Sequence, residues 1–494
     1  MSSESKQIEK DSLISISRGA GFHIVGHAFQ NGISFILQVL LTRTLGASLY
    51  GIFSFGIVIL NIIYVISNLG SDKSLLKYIP EYRNQSEQNV FLTLAGITSI
   101  VSSILVAGLV FYLAPIISRL TLNSPYLVEV LQILALLIPF NTIGNLFHAA
   151  LKGVEKKGIE VISASIFAPL SRVLLIGIAL AAGFSIVGAT AAYVVAGVIA
   201  FAFSLYLFKK HTDLGIDFNI SKNNAVEYYN YTLPLTIDQM GGFLYNRIDI
   251  LMVGYFLTST TVGIYNIAVM LASVLTLALA AFNQLFPPLA SKLHHSGNQA
   301  ELSNVYSIVT RWVFSISLFP ACVMIIFPKE ILSVFGAEFV TGSTVLILFV
   351  FAQLFNSIAG PSGYMLMMTD HQYVSMFNQL GFGVANVLLN YILIKNIGFI
   401  GAAIATASVI AVANMAKVLE VWYFEGYFPY NKTYLGVLLG GLLAIGSMYG
   451  VSILISGLIS VASGSILGLI IFVVCIYSFS ITDDDKKLWQ NITQ

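Results

Sequence analysis

Arg247-Ile248-Asp249-Ile250-Leu251-Met252-Val253-Gly254-Tyr255-Phe256-Leu257, followed shortly by Val262-Gly263-Ile264-Tyr265, places two charges inside an apolar run. A charged side chain near a bilayer centre costs roughly 2.5–3.5 kcal/mol on insertion scales, so Arg247 and Asp249 require a watery path or a partner helix. The stretch has an echo about 212 positions earlier, where Tyr50-Gly51-Ile52-Phe53 answers Val262-Gly263-Ile264-Tyr265. At nearly the same offset Ile186-Val187-Gly188-Ala189 answers Phe399-Ile400-Gly401-Ala402, and Leu151-Lys152-Gly153 falls where Met367-Met368-Thr369 stands. Weak repeats at one offset imply two structurally equivalent halves, a common plan for transporters that bind substrate at the repeat interface.

Composition points the same way. The 494 residues are 57% hydrophobic and 10% charged, with mean hydropathy +0.86, far from the roughly 25% charged content of a soluble domain. The chain reads as a polytopic membrane protein. A formal net charge of +1 gives no broad attraction to nucleic acid, so any electrostatic recognition must be local. The 40 glycines suit close helix packing in lipid. Cys322 and Cys475 lie in apolar runs and offer no disulfide or metal framework. Glu4, Glu9 and Asp11 dilute the basic start, and no small-residue cleavage site follows the first apolar run, so that run is expected to stay as an anchor.

Apolar runs of spanning length predict helices near 20–41, 50–70, 91–114, 127–150, 159–182 and 184–208. A second set falls near 229–257, 262–286, 305–327, 340–367, 374–394 and 399–422, with a further pair near 433–455 and 461–481. The expected fold is therefore all-α with about 14 transmembrane helices: six-helix lobes at 1–224 and 225–432, then an additional pair and tail at 433–494. Of the 24 Lys and Arg, Arg43, Arg119, Lys329 and Lys395 fall on one side, Arg172 and Arg247 on neither, and the remainder on the other. The positive-inside bias then puts both termini in the cytoplasm.

Several polar constellations lie within these runs. On the first helix His23, His27, Gln30, Asn31, Ser34 and Gln38 recur at spacings of three and four, which confines them to an arc of about 100°. Such a face is either a cavity wall or hydrogen-bonding glue between helices. Arg172 stands three residues after Pro169 in the fifth helix and cannot shed its proton. It must pair with a buried carboxylate or face an anionic ligand. On the seventh helix Thr232, Thr236, Gln239, Asn246 and Arg247 share an arc, and Asp238 and Asp249 an adjoining one. Residues two apart do not face each other on a helix, so Arg247 and Asp249 each need another partner. Gln379, Asn386 and Asn390 mark a narrow face of the eleventh helix, expected to be structural.

The run Leu41-Thr42-Arg43-Thr44-Leu45-Gly46 to Tyr50-Gly51, with Asn68-Leu69-Gly70 and Lys77-Tyr78-Ile79-Pro80-Glu81, resembles the polysaccharide-export and O-antigen flippases. These belong to the multidrug/oligosaccharidyl-lipid/polysaccharide exporter superfamily. Phe335-Gly336-Ala337-Glu338-Phe339, Asn386-Val387-Leu388-Leu389-Asn390 and Gly398-Phe399-Ile400-Gly401-Ala402-Ala403-Ile404-Ala405-Thr406 extend the resemblance over most of the chain. It implies two six-helix lobes around a central cavity and alternating access. The implied activity is transfer of a polyprenyl-(di)phosphate-linked oligosaccharide from the cytoplasmic to the outer leaflet of the cell membrane, for surface polysaccharide or glycoprotein glycan assembly. No cofactor, metal or covalent chemistry is implied, and the expected protein is a monomer, possible partners being glycan-assembly enzymes.

By position, Arg172 and Arg247 are the expected headgroup ligands, with Arg18 and Arg43 secondary, and His23, His27, Gln30, Asn31, Gln38, Gln239 and Asn246 as cavity groups. Coupling to a proton, a sodium ion or the membrane potential is open, with Asp238 and Asp249 as the ion-coupling candidates. The same superfamily contains cation-coupled drug antiporters of the multidrug and toxin extrusion type, which need a titrating acid in the cavity. Between Gly19 and Leu41 the first helix has none. Such a chain could also act as a scramblase, or as a non-transporting scaffold for a glycan-assembly complex. The last helix pair resembles that of longer members of the superfamily, where it forms a lipid-facing groove, although its own sequence suits plain scaffolding equally.

Overall fold

The computed structural model describes the backbone of residues 3–480, and the side chains of these apart from residues 3–25, 27, 28 and 244–246. Every regular element among the described residues is helical. Among the described residues ten helices are long and apolar enough to cross a membrane, or eleven if the bent pair Pro125–Ala135 and Ile138–Gly153 is one span. The protein is thus an all-α, multi-pass membrane protein. The expectation of about fourteen counts separately the arms of two kinked helices and includes the polar helix Lys222–Phe256, which that measure of apolarity passes over.

The chain packs as two compact units, Met1–Gly263 and Ile264–Gln494. The first begins with α1 (Ser3–Asn68), α2 (Ser71–Glu81), α3 (Gln85–Leu120), α4 (Pro125–Ala135) and α5 (Ile138–Gly153). It continues with α6 (Lys157–Val161), a π-helical turn at Ile162–Phe167, α7 (Ala168–Ala181), α8 (Ile186–His211) and α9 (Lys222–Phe256). α10 (Ser259–Ser273) carries the chain into the second unit.

The helix breaks follow from local chemistry. α1 turns at Gly46, whose φ of 72° and ψ of 173° interrupt the helix, a conformation open to a residue without Cβ. About 212 residues on, α9 ends at Leu257 and α10 starts at Ser259. The turn around Gly183 (φ 85°) between α7 and α8 likewise has a counterpart in Gly398 (φ 62°). The duplicated pattern in sequence is therefore a duplicated pattern of helix breaks.

The echoed glycines meet each other. A Cβ on Gly51 would lie 1.8 Å from the Ser259 carbonyl oxygen, and one on Gly263 would lie 2.3 Å from that of Ala47. The Ser48 and Ser259 hydroxyls share a hydrogen bond of 2.9 Å beside this crossing. Small residues let helix backbones approach in this way in lipid. Gly254, inside the charged stretch, takes the Phe55 ring, whose Cε2 would stand 2.1 Å from a Cβ there.

The connection Thr212–Ser221 is pinned to the start of α3. Ser86 Oγ donates to Asp217 Oδ2 (2.7 Å), Gly215 N–H donates to Asn89 Oδ1 (2.8 Å) and Asp217 N–H donates to Thr93 Oγ1 (2.9 Å). The Asn219 N–H and the Ser86 hydroxyl hold the half-buried Asp217 carboxyl below the usual carboxylate range.

In the second unit follow α11 (Leu277–His295), α12 (Gln299–Ile326), α13 (Pro328–Ser333), α14 (Ser343–Ala359) and α15 (Ser362–Met368). Then come α16 (Gln372–Glu425), broken at Ile397 and Gly398, and the closing pair α17 (Tyr434–Leu454) and α18 (Leu458–Phe479). α17 and α18 approach closely because glycines face large side chains: a Cβ on Gly468 would stand 2.5 Å from Met448 Cε, and one on Gly436 2.7 Å from Phe479 Cβ.

Asn386 and Asn390 are buried beside Thr406. Asn390 Nδ2 donates to Asn386 Oδ1 (2.7 Å) and Thr406 Oγ1 (3.2 Å), and Thr406 Oγ1 donates to Asn386 Oδ1 (3.2 Å). This network ties the two arms of α16 together. Asn390→Leu is expected to lower stability by about 1 kcal/mol, within the range of polar contacts between membrane helices. A thermal melt of the purified protein in detergent checks it, and transport should persist.

Candidate functional site

The first unit encloses a cavity of about 350 Å³. Five elements build it. α1 contributes Gln30 from its first arm and Asn61 and Tyr64 from its second. α5 contributes Asn141, Asn145 and His148, which at i, i+4 and i+7 fall on one face. The π turn and α7 supply Ala164, Ala168 and Arg172 at intervals of four, and α8 supplies Tyr193, Phe201 and Ser204. Gly144 and Gly197 also line it, and at Gly197 the helices pack so closely that a Cβ would stand 2.4 Å from Leu137 Cδ1.

The π turn has a local cause. Pro169 lacks an N–H and its ring crowds the preceding turn, and the Ala168 N–H reaches back to the Ser163 carbonyl. Such turns are rare and frequent at functional sites. His148 braces this one: its Nε2 lies 3.1 Å from Ser163 Oγ, and its Nδ1 3.4 Å from Asn145 Oδ1. Beyond the turn, the Arg172 guanidinium carbon sits 4.9 Å from the centre of the Tyr193 ring, a geometry in which the ring face attracts the cation.

The electrostatics of the cavity are one-signed. Arg172 lines it, and no Asp or Glu does so among the described residues. Arg172 Nε is buried and makes no hydrogen bond to any described residue. Pairing of Arg172 with a buried carboxylate is thereby set aside among the described residues. Gln30, Asn61 and Asn141 likewise make no side-chain hydrogen bond to described residues. Amides without a partner among the described residues are not glue between the described helices, because glue requires a partner.

The other expected site residues are placed elsewhere. Arg247 is exposed and does not line this cavity, and Asp238 and Asn31 are exposed as well. Asp249 is buried, its Oδ1 accepting from the Ile250 N–H at 2.9 Å, and the residue has a further partner. Gln239 is half-buried, and Gln38 keeps a buried Oε1 without a hydrogen bond. Arg43 is exposed and engaged. The side chains of Arg18, His23, His27 and Asn246 lie outside the described residues. The sequence reading passed over Asn61, Tyr64, Asn141, Asn145, His148 and Tyr193, although the spacing of Asn141, Asn145 and His148 was a visible signal.

The second unit has an apolar groove of about 360 Å³ between α12 and α18, lined by Ile316, Phe319, Leu469, Phe472 and Ile476 among others. Arg311 stands at one end, where its Nη1 donates to Thr433 Oγ1 at 2.7 Å.

A duplicated helical membrane bundle with a polar, cationic pocket in its first unit defines the transporter class of membrane protein. The model of the family described as polysaccharide biosynthesis protein matches residues 16–294, and the MatE model matches residues 234–392. The chain belongs to the polysaccharide biosynthesis protein family, within the multidrug/oligosaccharidyl-lipid/polysaccharide exporter superfamily.

Among its relatives is the probable low-salt glycan biosynthesis flippase Agl15 of Haloferax volcanii, 26% identical over 463 residues, covering 91% of this chain and 93% of that protein. An uncharacterized membrane protein of Methanocaldococcus jannaschii, MJ1068, is 21% identical over 87% of this chain and 88% of its own length. Among solved structures, the lipid II flippase MurJ in an inward closed conformation aligns with TM-score 0.69 and 14% identity, over 91% of this chain and 97% of that one. An inward-facing multidrug resistance MATE family transporter also aligns with TM-score 0.69, at 15% identity, over 80% of this chain and 94% of that one. Identities this low establish a shared fold.

Proposed function

We propose that the protein is a flippase for lipid-linked glycans, carrying a polyprenyl-(di)phosphate-linked oligosaccharide from the cytoplasmic to the outer leaflet of the cell membrane by alternating access. The observation that carries this reading is the cavity lined by carboxamides, with Arg172 facing it and no carboxylate among its described lining residues. A phosphorylated head bearing sugars has the matching chemistry. The planar guanidinium fork suits phosphate oxygens, and amides that donate and accept suit sugar hydroxyls. The prenyl tail stays in the hydrocarbon, so the helices need shelter only the head. No bond is made or broken in such a step. The relatives named as glycan and lipid II flippases support the reading.

The rival reading, a cation-coupled drug antiporter, needs an acid in the pocket. Asp238 is exposed, and Asp249 is buried outside the cavity lining. With both termini cytoplasmic, an interior-negative potential would push an anionic head outward, by about 2.3 kcal/mol per charge and 100 mV.

Proteoliposomes containing a fluorescent short-chain prenyl diphosphate oligosaccharide test this. Protein-dependent transfer between leaflets, read by an impermeant quencher, is expected, and dissipating an imposed potential should slow it. Absence of transfer, together with efflux of cationic dyes that depends on Asp249, would overturn the flippase reading in favour of the antiporter.

A further inference from the structure

We infer that the cavity of the first unit is a sugar subsite, reading the glycan residue nearest the carrier phosphate and selecting neutral or N-acylated sugars over free amino sugars. The inference rests on the flippase reading and specifies what the site recognises. Gln30, Asn61 and Asn141 bring donors and acceptors that have no partner among the described residues from two helices to one space, and Tyr193 and Phe201 add aromatic surface. Carboxamides and aromatic rings together match a pyranose, which presents hydroxyls at its rim and C–H groups on its faces. A site that bound phosphate alone would need cations and N–H donors, and would make no use of amide carbonyl acceptors or ring faces.

Size sharpens the assignment. About 350 Å³ lies at the small end of the roughly 300–1,000 Å³ typical of ligand pockets. It accommodates a sugar ring or two and not an extended oligosaccharide. The outer sugars must remain outside, so selection acts on the carrier-proximal end. Charge sets the selectivity: the Arg172 guanidinium repels a protonated amine, and no lining carboxylate among the described residues compensates it.

The test compares binding of prenyl diphosphates that carry no sugar or a single hexose, N-acetylhexosamine, deoxyhexose or amino hexose to the full-length protein in nanodiscs. At least one neutral or N-acetylated conjugate is expected to bind the wild type about tenfold more tightly than the bare carrier, and the amino hexose conjugate no better than it. Asn61→Leu and Asn141→Leu, close in volume but without hydrogen-bonding groups, should each reduce that preference, and together bring it near unity. Tenfold corresponds to one or two hydrogen bonds of ordinary net strength. Each substitution is made singly as well as jointly, so a variant that fails to insert leaves the other to be read. A wild type that binds every conjugate no better than the bare carrier overturns the subsite, as does a preference that survives in the double variant. If the wild type moves such conjugates between leaflets while showing no sugar preference, the flippase reading stands and the subsite falls. If it moves none, the flippase reading falls first.

Discussion

Arg172→Ala is expected to abolish transfer of a lipid-linked glycan, reducing the initial rate at least about a hundredfold, while the protein still inserts and purifies as a single species. The reason lies in what the side chain does not do. Its Nε is buried without a hydrogen bond, and its guanidinium is held against the Tyr193 ring with no carboxylate partner among the described residues. Folding therefore gains little from the charge, and losing it frees the chain from sheltering a cation in the membrane. A hydrogen bond to a charged group contributes about 1.5–3 kcal/mol, so two such bonds to a phosphate account for the predicted loss. Arg172→Lys should recover a small part of the rate, because a point charge replaces the two-pronged fork. Rates in proteoliposomes, beside thermal melts of all three proteins, separate the two roles. A destabilised Arg172→Ala protein with wild-type specific activity would show Arg172 to be structural.

Gly51→Ala has the opposite signature and a comparable size. Its Cβ would enter the space of the Ser259 carbonyl, at 1.8 Å. Backbone cannot swing aside as a long side chain can, so the whole crossing of α1 and α10 must separate. Overpacking of a tight contact costs about 1–3 kcal/mol and occasionally more, and this substitution belongs at or beyond the upper end. Loss of monodisperse protein after extraction is expected, with whatever remains melting well below the wild type. Gly96→Ala supplies the control, since a Cβ on Gly96 in α3 meets nothing within 4 Å. That change should leave stability the same or raise it by up to about 1 kcal/mol, the usual advantage of alanine over glycine within a helix. Equal melting of the two variants would remove the close crossing from the account.

The sequence made the membrane class and the duplication legible, because apolar length and repeated breaks are one-dimensional signals. The breaks at Gly46 and Gly398 were legible as boundaries between apolar runs, and both residues leave the helical conformation there. α2 was not anticipated: eleven residues with Pro80 among them fall below spanning length. Of the residues lining the candidate cavity, Arg172 and Gln30 were conspicuous in the sequence because charge and amide stand out against an apolar run. Asn141, Asn145 and His148 were lost inside a run counted for its length instead of its faces. Arg247 shows the converse limit. Its arc on α9 could be computed from the sequence, but an arc does not say what the helix faces, and this residue is exposed.

The π turn at Ile162–Phe167 governs how the cation is aimed. A wide turn holds one residue more than an α turn, and each residue of a helix advances the side chains by about 100°. Were the same residues wound as a regular α-helix, everything after them would swing round by about that angle, carrying the guanidinium off the pocket wall. The direction of the charge is therefore written in the phase of the helix, several positions upstream of the arginine that bears it.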